Sequence, residues 1–207
     1  MKKSIASLVL VLVTIIKMNL CCSQSEDMCI VPLDENWKVE DYDDTKGITK
    51  ALFDSSSKSL IISATLKGKD PNISKGEVYL DLRWVESLCL DNKRNKKNED
   101  FINLNSETLV VEIYIPNGFI GSQSAPNGIQ LFAKSGENFL AAYSEWENIE
   151  EAGKTTFEFN LTDGPFDYKK RGYDSKLIAS IGVKFAINNS SRRSFNGDFA
   201  ITYVGLK

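Results

Sequence analysis

The chain has no histidine among its 207 residues, and this absence limits the catalytic chemistry open to it. Without an imidazole it cannot build a Ser-His-Asp or Cys-His nucleophile, an HExxH zinc site or a histidine general base. The groups that remain are carboxylates, aromatic rings, amides, cationic side chains and four cysteines. Carboxylate pairs and surfaces that mix aromatic with polar groups are therefore the sites this sequence could form.

Several predicted strands place polar and aromatic residues on one side. Alternate residues of a strand point to opposite faces, so counting separates a core face from an outer face. In the segment 76–84, Val78, Leu80, Leu82 and Trp84 share the core parity. The same counting over 108–115 and 128–134 completes the outward set, which is Tyr79, Asp81, Arg83, Glu112, Tyr114, Gln130, Phe132 and Lys134. If these strands are neighbours in one sheet, their rings and polar groups converge on one surface.

Such a surface would suit a saccharide. A sugar ring has apolar C–H faces and a polar rim of hydroxyls, so its site needs an aromatic plane and fixed polar groups. Tyr79, Tyr114 and Phe132 would supply the planes. The same residue types are also ordinary solvent-facing partners in an antiparallel sheet, and parity alone does not choose between these interpretations.

Asp81 and Glu112 are the two carboxylates of this predicted face. A glycosidase needs two carboxyl groups about 5–5.5 Å apart for retention or roughly 6.5–9.5 Å apart for inversion. No strand carries an alternating acidic run, and the acidic residues of 145–151 fall in a predicted loop. We expect the chain not to be an enzyme, with hydrolysis through Asp81 and Glu112 as the less favoured alternative.

The elements that must position these residues are strands. From residue 37 onward the apolar period is near two, and Val, Ile, Phe, Tyr and Leu are abundant. The predicted strands cover residues 59–66, 76–84, 108–115, 128–134, 138–144, 155–161, 177–187 and 198–206. Turn signals such as Asp70-Pro71-Asn72 and Pro116-Asn117-Gly118 separate them. The pattern predicts an all-β antiparallel sandwich of jelly-roll type over 37–207.

The N-terminal segment has the features of an export signal. A basic Met1-Lys2-Lys3 precedes an apolar run at 4–16, which is too short to span a bilayer comfortably. Cysteines follow, so we expect a signal peptide at 1–21, lipidation of Cys22 (or Cys21) and a tether at 22–36. Ordinary cleavage and a retained anchor are the alternatives. The expected location is the cell envelope or outer surface, with the membrane contacted through the lipid.

Cysteine spacing and charge set further expectations. An exported chain tolerates a Cys29–Cys89 disulfide, although two separate buried thiols are equally compatible with the sequence. The formal net charge of −3 argues against nucleic acid as a partner, because phosphate binding needs a basic patch. The polar stretch 91–100 has mixed charge and no apolar residue, and it predicts a solvated loop.

Residues 37–206 resemble the β-jelly-roll carbohydrate-binding modules of the galactose-binding-like class that accompany bacterial endoglucanases and mannanases. The resemblance lies in the order of several short stretches over about 170 residues. These stretches are 75–82 (KGEVYLDL), 104–116 (LNSETLVVEIYIP), 128–134 (GIQLFAK), 144–149 (SEWENI), 181–185 (IGVKF) and 195–204 (FNGDFAITYV).

The resemblance implies that the aromatic and polar residues of one concave sheet bind a glycan. Carried over, these residues are Tyr79, Arg83, Tyr114, Gln130, Phe132 and Lys134. Trp146 is a loop aromatic that could join them, although a wall of the core under the loop is its favoured role. The family's final strand often carries an acidic residue that holds a structural calcium ion, but Thr202 and Tyr203 stand there. Glu40, Asp41 and Asp198 could supply oxygen ligands. We expect no cofactor or metal.

Together these features predict a non-catalytic glycan-binding domain displayed on the cell envelope, with a polysaccharide or oligosaccharide as partner. The competing interpretation is a structural or adhesive surface lipoprotein whose sheet face binds a protein. A jelly-roll glycoside hydrolase comes third. The sequence does not name the sugar.

Overall fold

A computed structural model describes residues 28–42, 45–188, 190 and 192–207. The predicted signal peptide and the lipidation residues Cys21 and Cys22 lie outside this part of the chain. Within the described residues, no helix has the length and apolar character needed to cross a membrane.

The described chain is built almost entirely of strands. They are β1 (Cys29–Ile30), β2 (Trp37–Val39), β3 (Ile48–Asp54), β4 (Ser59–Lys67), β5 (Lys75–Asp81), β6 (Arg94–Asn95), β7 (Asn98–Ile102), β8 (Thr108–Ile115), β9 (Gly128–Ser135), β10 (Leu140–Ser144), β11 (Glu147–Asn148), β12 (Gly153–Asn160), β13 (Phe166–Lys169), β14 (Ile178–Ala186) and β15 (Ser194–Leu206). A four-residue helix, α1 (Leu88–Asp91), and two 3-10 turns at Leu82–Trp84 and Asn117–Phe119 accompany them.

The strands form two antiparallel sheets. The six-stranded sheet has the order β12-β8-β15-β4-β3, with β1 also paired to β15. The nine-stranded sheet has the order β13-β10-β9-β14-β5-β2, with β11 paired to β9 and the β6–β7 hairpin joined to β14 through β7. The prediction of an all-β antiparallel sandwich is confirmed. Its strands come from distant parts of the sequence, so it is the long-range pairing that decides which residues share a surface.

The core lies between the two sheets. Leu80, Leu131 and Val183 point into it from the nine-stranded sheet, and Ile62 and Ile113 from the six-stranded sheet. Fully burying each such side chain contributes roughly 1.5–3 kcal/mol.

Aromatic rings join the layers at one end of this core. The Phe185 ring lies 4.3 Å from that of Phe199, and Phe119 lies edge-on at 4.7 Å from Phe199. Phe185 belongs to β14 and Phe199 to β15, so this contact crosses from one sheet to the other.

One predicted strand ends earlier than expected. The segment 76–84 leaves the sheet at Asp81, whose carboxylate accepts a hydrogen bond from the Arg83 backbone N–H and caps the following 3-10 turn. Leu82 is still buried, but Trp84 is 75% exposed, so its assignment to the core was wrong. The stretch 91–100 also differs from the predicted solvated loop, because it contains the β6–β7 hairpin.

The disulfide between Cys29 and Cys89 is present in the structure, with the two Cα atoms 5.5 Å apart. It joins β1 to α1 across a sequence separation of 60 residues, and closing a loop of that length stabilises the fold by about 4 kcal/mol in the chain-entropy model. Cys29 pairs with Leu206 of β15, so part of the predicted tether at 22–36 belongs to the sandwich.

Candidate functional site

Most of the predicted site residues lie on the outer side of the nine-stranded sheet. Phe132 of β9 and Tyr79 of β5 are both paired with Gly182 of β14, which lies between them. Lys134 and Asp81 are likewise paired on either side of Ser180. Gln130 shares the parity of Phe132 and Lys134 on β9. We call this outer surface the aromatic face.

Glu112 and Tyr114 were wrongly predicted to join them. Both lie on β8, which belongs to the six-stranded sheet between β12 and β15. Their side chains do point outward, as the parity indicated, but the outer faces of the two layers of a sandwich look in opposite directions. Tyr114 is 54% exposed on that opposite side, and Glu112 forms an ion pair with Lys154. The expected convergence of Tyr79, Tyr114 and Phe132 therefore does not occur.

A row of aromatic residues crosses the aromatic face. The register aligns Tyr168 of β13, Tyr143 of β10, Phe132 of β9, Gly182 of β14 and Tyr79 of β5. A Cβ atom at Gly182 would lie 2.3 Å from the Phe132 ring and 2.3 Å from the Val78 carbonyl oxygen, so only glycine leaves room for that ring. Phe132 is consequently fully buried, and it is not the exposed stacking platform that was predicted.

Ion pairs surround this row. Lys134 donates to Glu40 at 2.5 Å and lies 3.8 Å from Glu77. Lys184 lies 3.4 Å from the same Glu77, whose side chain is only 3% exposed, and the Tyr143 hydroxyl donates to it at 3.1 Å. Two lysines therefore face two carboxylates in one partly buried network of ion pairs. Buried charges are tolerated when they are paired and hydrogen-bonded in this way.

The lysines of this ion-pair network also contact the aromatic rings of the face. The Lys134 ammonium lies 5.1 Å from the centroid of Phe132 and 5.6 Å from that of Tyr79. Burial, followed by the charge of Glu40, raises the pKa of Tyr79. The face thus alternates cations with aromatic planes and carries few unbalanced charges.

Asp81 and Arg83 bind each other at one end of the face. The Arg83 guanidinium donates to both carboxylate oxygens, at 2.8 and 2.6 Å, and this hydrogen bonding raises the pKa of Arg83. Asp81 and Glu112 lie on opposite sides of the sandwich, so the two carboxylates cannot flank one glycosidic bond. The alternative of hydrolysis through this pair was wrong.

An open pocket lies at the other end of the face, beside Trp146. Its volume is about 570 Å³, within the usual range of ligand sites. Trp146 is 38% exposed and packs over Gly128, where an added Cβ would approach the indole to 2.9 Å. Gly128 and Ala186, a directly paired couple, give the pocket small side chains. We call it the Trp146 pocket.

Polar groups in the Trp146 pocket are held in fixed positions. The Gln130 amide nitrogen donates to the Ser144 carbonyl at 2.9 Å and to the Asp167 carboxylate at 3.0 Å. The Lys184 ammonium lies 5.7 Å from the Trp146 ring centroid and 4.5 Å from that of Tyr143. A ring plane, an amide, a carboxylate and an ammonium thus border one cavity, an arrangement able to stack a planar or cyclic ligand and to hydrogen-bond its edge.

No group of three His, Cys, Asp or Glu side chains able to hold a metal ion occurs in the part of the chain that the structure describes. The residues considered for calcium are separated. Glu40 follows β2 in the nine-stranded sheet and binds Lys134, whereas Asp198 lies on β15 of the six-stranded sheet. These residues do not fit a calcium site.

Sequence reasoning missed several residues of this face. Alternation places both Glu77 and Lys184 outward, but neither was included in the predicted binding set. Tyr143 and Asp167 lie on strands whose position in the sheet depends on long-range pairing, and nothing local marks them.

No protein-family model matches the sequence of this chain. No curated protein matches it either. Its fold is an antiparallel β-sandwich of two sheets, as predicted from the sequence.

Three solved structures illustrate the likeness. An agarase, AgWH50C, matches with a TM-score of 0.51 and 10% identity over 86% of this chain and 24% of the agarase. The CtCBM11 module matches at 0.44 and 12% identity, over 86% of this chain and 92% of the module. The CBM1 module of BiXyn10A matches at 0.43 and 12% identity, over 87% and 99%. The chain spans about a quarter of the agarase's length.

Proposed function

We propose that the chain is a non-catalytic glycan-binding domain, held at the cell envelope by a lipid on Cys22 or Cys21, and that a sugar binds in the Trp146 pocket. The observation that carries this proposal is the combination of an exposed indole with the hydrogen-bonded Gln130–Asp167 pair around one cavity. A pyranose ring presents C–H groups to such an indole and hydroxyls to such a pair.

The pairing of charges favours a neutral saccharide. Lys184 and Lys134 already face Glu77 and Glu40, and Arg83 is neutralised by Asp81. A carboxylated or sulfated sugar would have to compete with these carboxylates for the ammonium groups. Neutral hydroxyls can instead share the existing polar groups without separating a buried ion pair.

A non-catalytic role agrees with the separation of Asp81 and Glu112 and with the engagement of Asp81 by Arg83. The aromatic ring nearest the pocket, Trp146, contacts a lysine and a glycine rather than a pair of opposed carboxylates. The domain would therefore hold a polysaccharide without cleaving it.

The test is affinity electrophoresis through gels that contain neutral polysaccharides. Agarose belongs in the panel because the matched AgWH50C structure is an agarase, and mannan and a mixed-linkage glucan extend it. We expect retention of the wild type, and Trp146→Ala to weaken it by about tenfold or more, which corresponds to ~1.4 kcal/mol. Tyr114→Ala is the matched control, since it removes an exposed ring from the opposite sheet and should leave retention unchanged.

Three results would contradict the proposal. Absence of wild-type retention on every polysaccharide removes its basis, and equal loss in both variants removes the assigned location. Release of reducing ends from a retained polysaccharide would make the domain an enzyme. Capture of one protein partner, insensitive to added sugar, would instead support the adhesive or structural interpretation.

Charged comparators such as alginate should be retained less than the neutral polymers.

A further inference from the structure

Four apolar side chains are exposed at the end of the sandwich remote from the Trp146 pocket. They are Met28, Ile30, Trp84 and Leu88, with Trp84 75% and Leu88 88% exposed. Large apolar side chains grouped on a surface mark a contact with a partner or a membrane more often than isolated ones do. We call this group the apolar end.

Covalent and polar links hold the group together. The disulfide joins Cys29, the neighbour of Met28 and Ile30, to Cys89, the neighbour of Leu88. Trp84 lies four residues before Leu88, so their Cα atoms are within about 14 Å of each other. The Arg94 guanidinium donates to the Val85 carbonyl at 3.1 Å and lies 3.5 Å from Asp91 at the end of α1. Because Arg94 belongs to the β6–β7 hairpin, these contacts attach the segment with Trp84 and Leu88 to that hairpin.

The apolar end and the pocket lie at opposite ends of the same strand. Lys75, the first residue of β5, borders the Trp146 pocket, and Asp81, its last residue, leads directly into the turn that carries Trp84. Seven residues of strand separate the two by about 20 Å. A surface that touches the apolar end therefore leaves the pocket open on the far side.

The predicted anchor is close to the apolar end. Only residues 23–27 separate Cys22 from Met28, and this length of chain spans at most about 20 Å. Met28 itself is part of the apolar end. A lipid on Cys22 therefore confines the apolar end to the neighbourhood of the bilayer.

We infer that the apolar end rests on the lipid bilayer, with Trp84 and Leu88 inserted at its interface, so that the Trp146 pocket faces away from the membrane. The inference rests on the lipid attachment contained in the proposed function. A tryptophan is well suited to this position because its ring is amphipathic and favours the boundary between headgroups and acyl chains. The aliphatic neighbours add apolar area that would otherwise remain in water.

Fluorescence quenching tests the inference. The full chain, produced in a bacterial host that lipidates it, is reconstituted into phosphatidylcholine vesicles whose acyl chains carry bromine. In Trp146→Phe, the emitting residues are Trp84 and the buried Trp37. We expect bromine to quench at least about half of the Trp84 emission, because a tryptophan at the headgroup–acyl boundary lies against the brominated chains.

The matched variant is Trp84→Phe, which keeps Trp146 and Trp37. Its emission should be unchanged by bromine, since Trp146 lies at the opposite end of β5 from Trp84. Equal quenching in the two variants, or no quenching in either, would overturn the inference. Absence of quenching overturns the inference also when the protein fails to float with the vesicles.

The outcome is separable from that of the sugar test. Leu88→Ser and Ile30→Ser should reduce Trp84 quenching, while gel retention on polysaccharide stays at the wild-type level. If Trp84 is quenched but no polysaccharide is retained, the orientation stands and the glycan proposal fails. If polysaccharide is retained but Trp84 is not quenched, the glycan proposal stands and the orientation on the membrane fails.

Discussion

All eight residues of β9 are buried, whereas along β12 exposed residues recur at every second position from Lys154 to Glu158. Both are strands of an antiparallel sandwich with one side toward the core, so the difference comes from their outer sides. The outer side of β12 meets water. That of β9 is covered by its own layer of rings and ion pairs, in which Phe132, Lys134 and Gln130 are buried. Burial and ion pairs therefore fix the polar groups of the β9 side in position.

Removing Glu77 should have the largest effect on this contrast. Glu77→Ala removes the carboxylate that Lys134 and Lys184 share. Breaking a buried ion pair in this way costs about 3–5 kcal/mol of stability. The matched change on the opposite sheet, Glu112→Ala, removes the partner of the exposed Lys154 and should cost less than about 1 kcal/mol. Urea denaturation of both variants measures the difference, and similar losses would show that the two faces are energetically alike.

A methyl group added at Gly182 should have the next largest effect. Gly182→Ala brings a Cβ to within 2.3 Å of the Val78 carbonyl, a backbone atom that cannot move aside, and overpacking of this kind costs about 1–3 kcal/mol. For Gly197→Ala in the six-stranded sheet, the atom nearest to the new Cβ belongs to the Phe195 ring, at 3.1 Å, so this change should cost less. Thermal unfolding compares the two. A larger loss at Gly197 would contradict the close packing inferred for the aromatic face.

The smallest effect concerns a fixed carboxylate at the edge of the six-stranded sheet. Hydrogen bonds from Ser57 first, and then from Ser56, lower the pKa of Asp54 from 3.8 to about 2. Because the folded pKa is the lower one, the contribution of Asp54 to stability is present above pH 3.8 and is lost as the pH falls toward 2. NMR titration of the Asp54 carboxyl carbon should give this midpoint, and Ser57→Ala should raise it. An unchanged midpoint in that variant would show that the hydrogen bond does not form.

The sequence predicted the sandwich and which residues share one side of a strand, because alternation is a local property. Counting placed Gln130, Phe132 and Lys134 on one face, and they share it. It also placed Tyr114 outward correctly, but the period of a strand says nothing about which of two sheets the strand enters. That choice depends on pairings such as Tyr114 with Ala200, which join segments far apart in the chain.

Burial of the outer face was the second property that local patterns did not reveal. Phe132 looked like an exposed platform, but a glycine fifty residues later in the sequence leaves space for its ring to lie across the neighbouring strand. Trp84 was misassigned for a local reason, since the capping of the turn by Asp81 breaks the alternation three residues before it.

The hydrogen bonds of Gln130 have a consequence for selectivity. Its amide nitrogen is engaged by two acceptors, and the Lys184 ammonium beside it lies near Glu77, so both side chains lose little rotamer freedom when the pocket fills. A ligand in the Trp146 pocket therefore meets polar groups that keep their positions. Inverting a single hydroxyl of a hexose would set that group against donors and acceptors that cannot turn to follow it, so epimers should be separated by the loss of whole hydrogen bonds rather than by gradual adjustment.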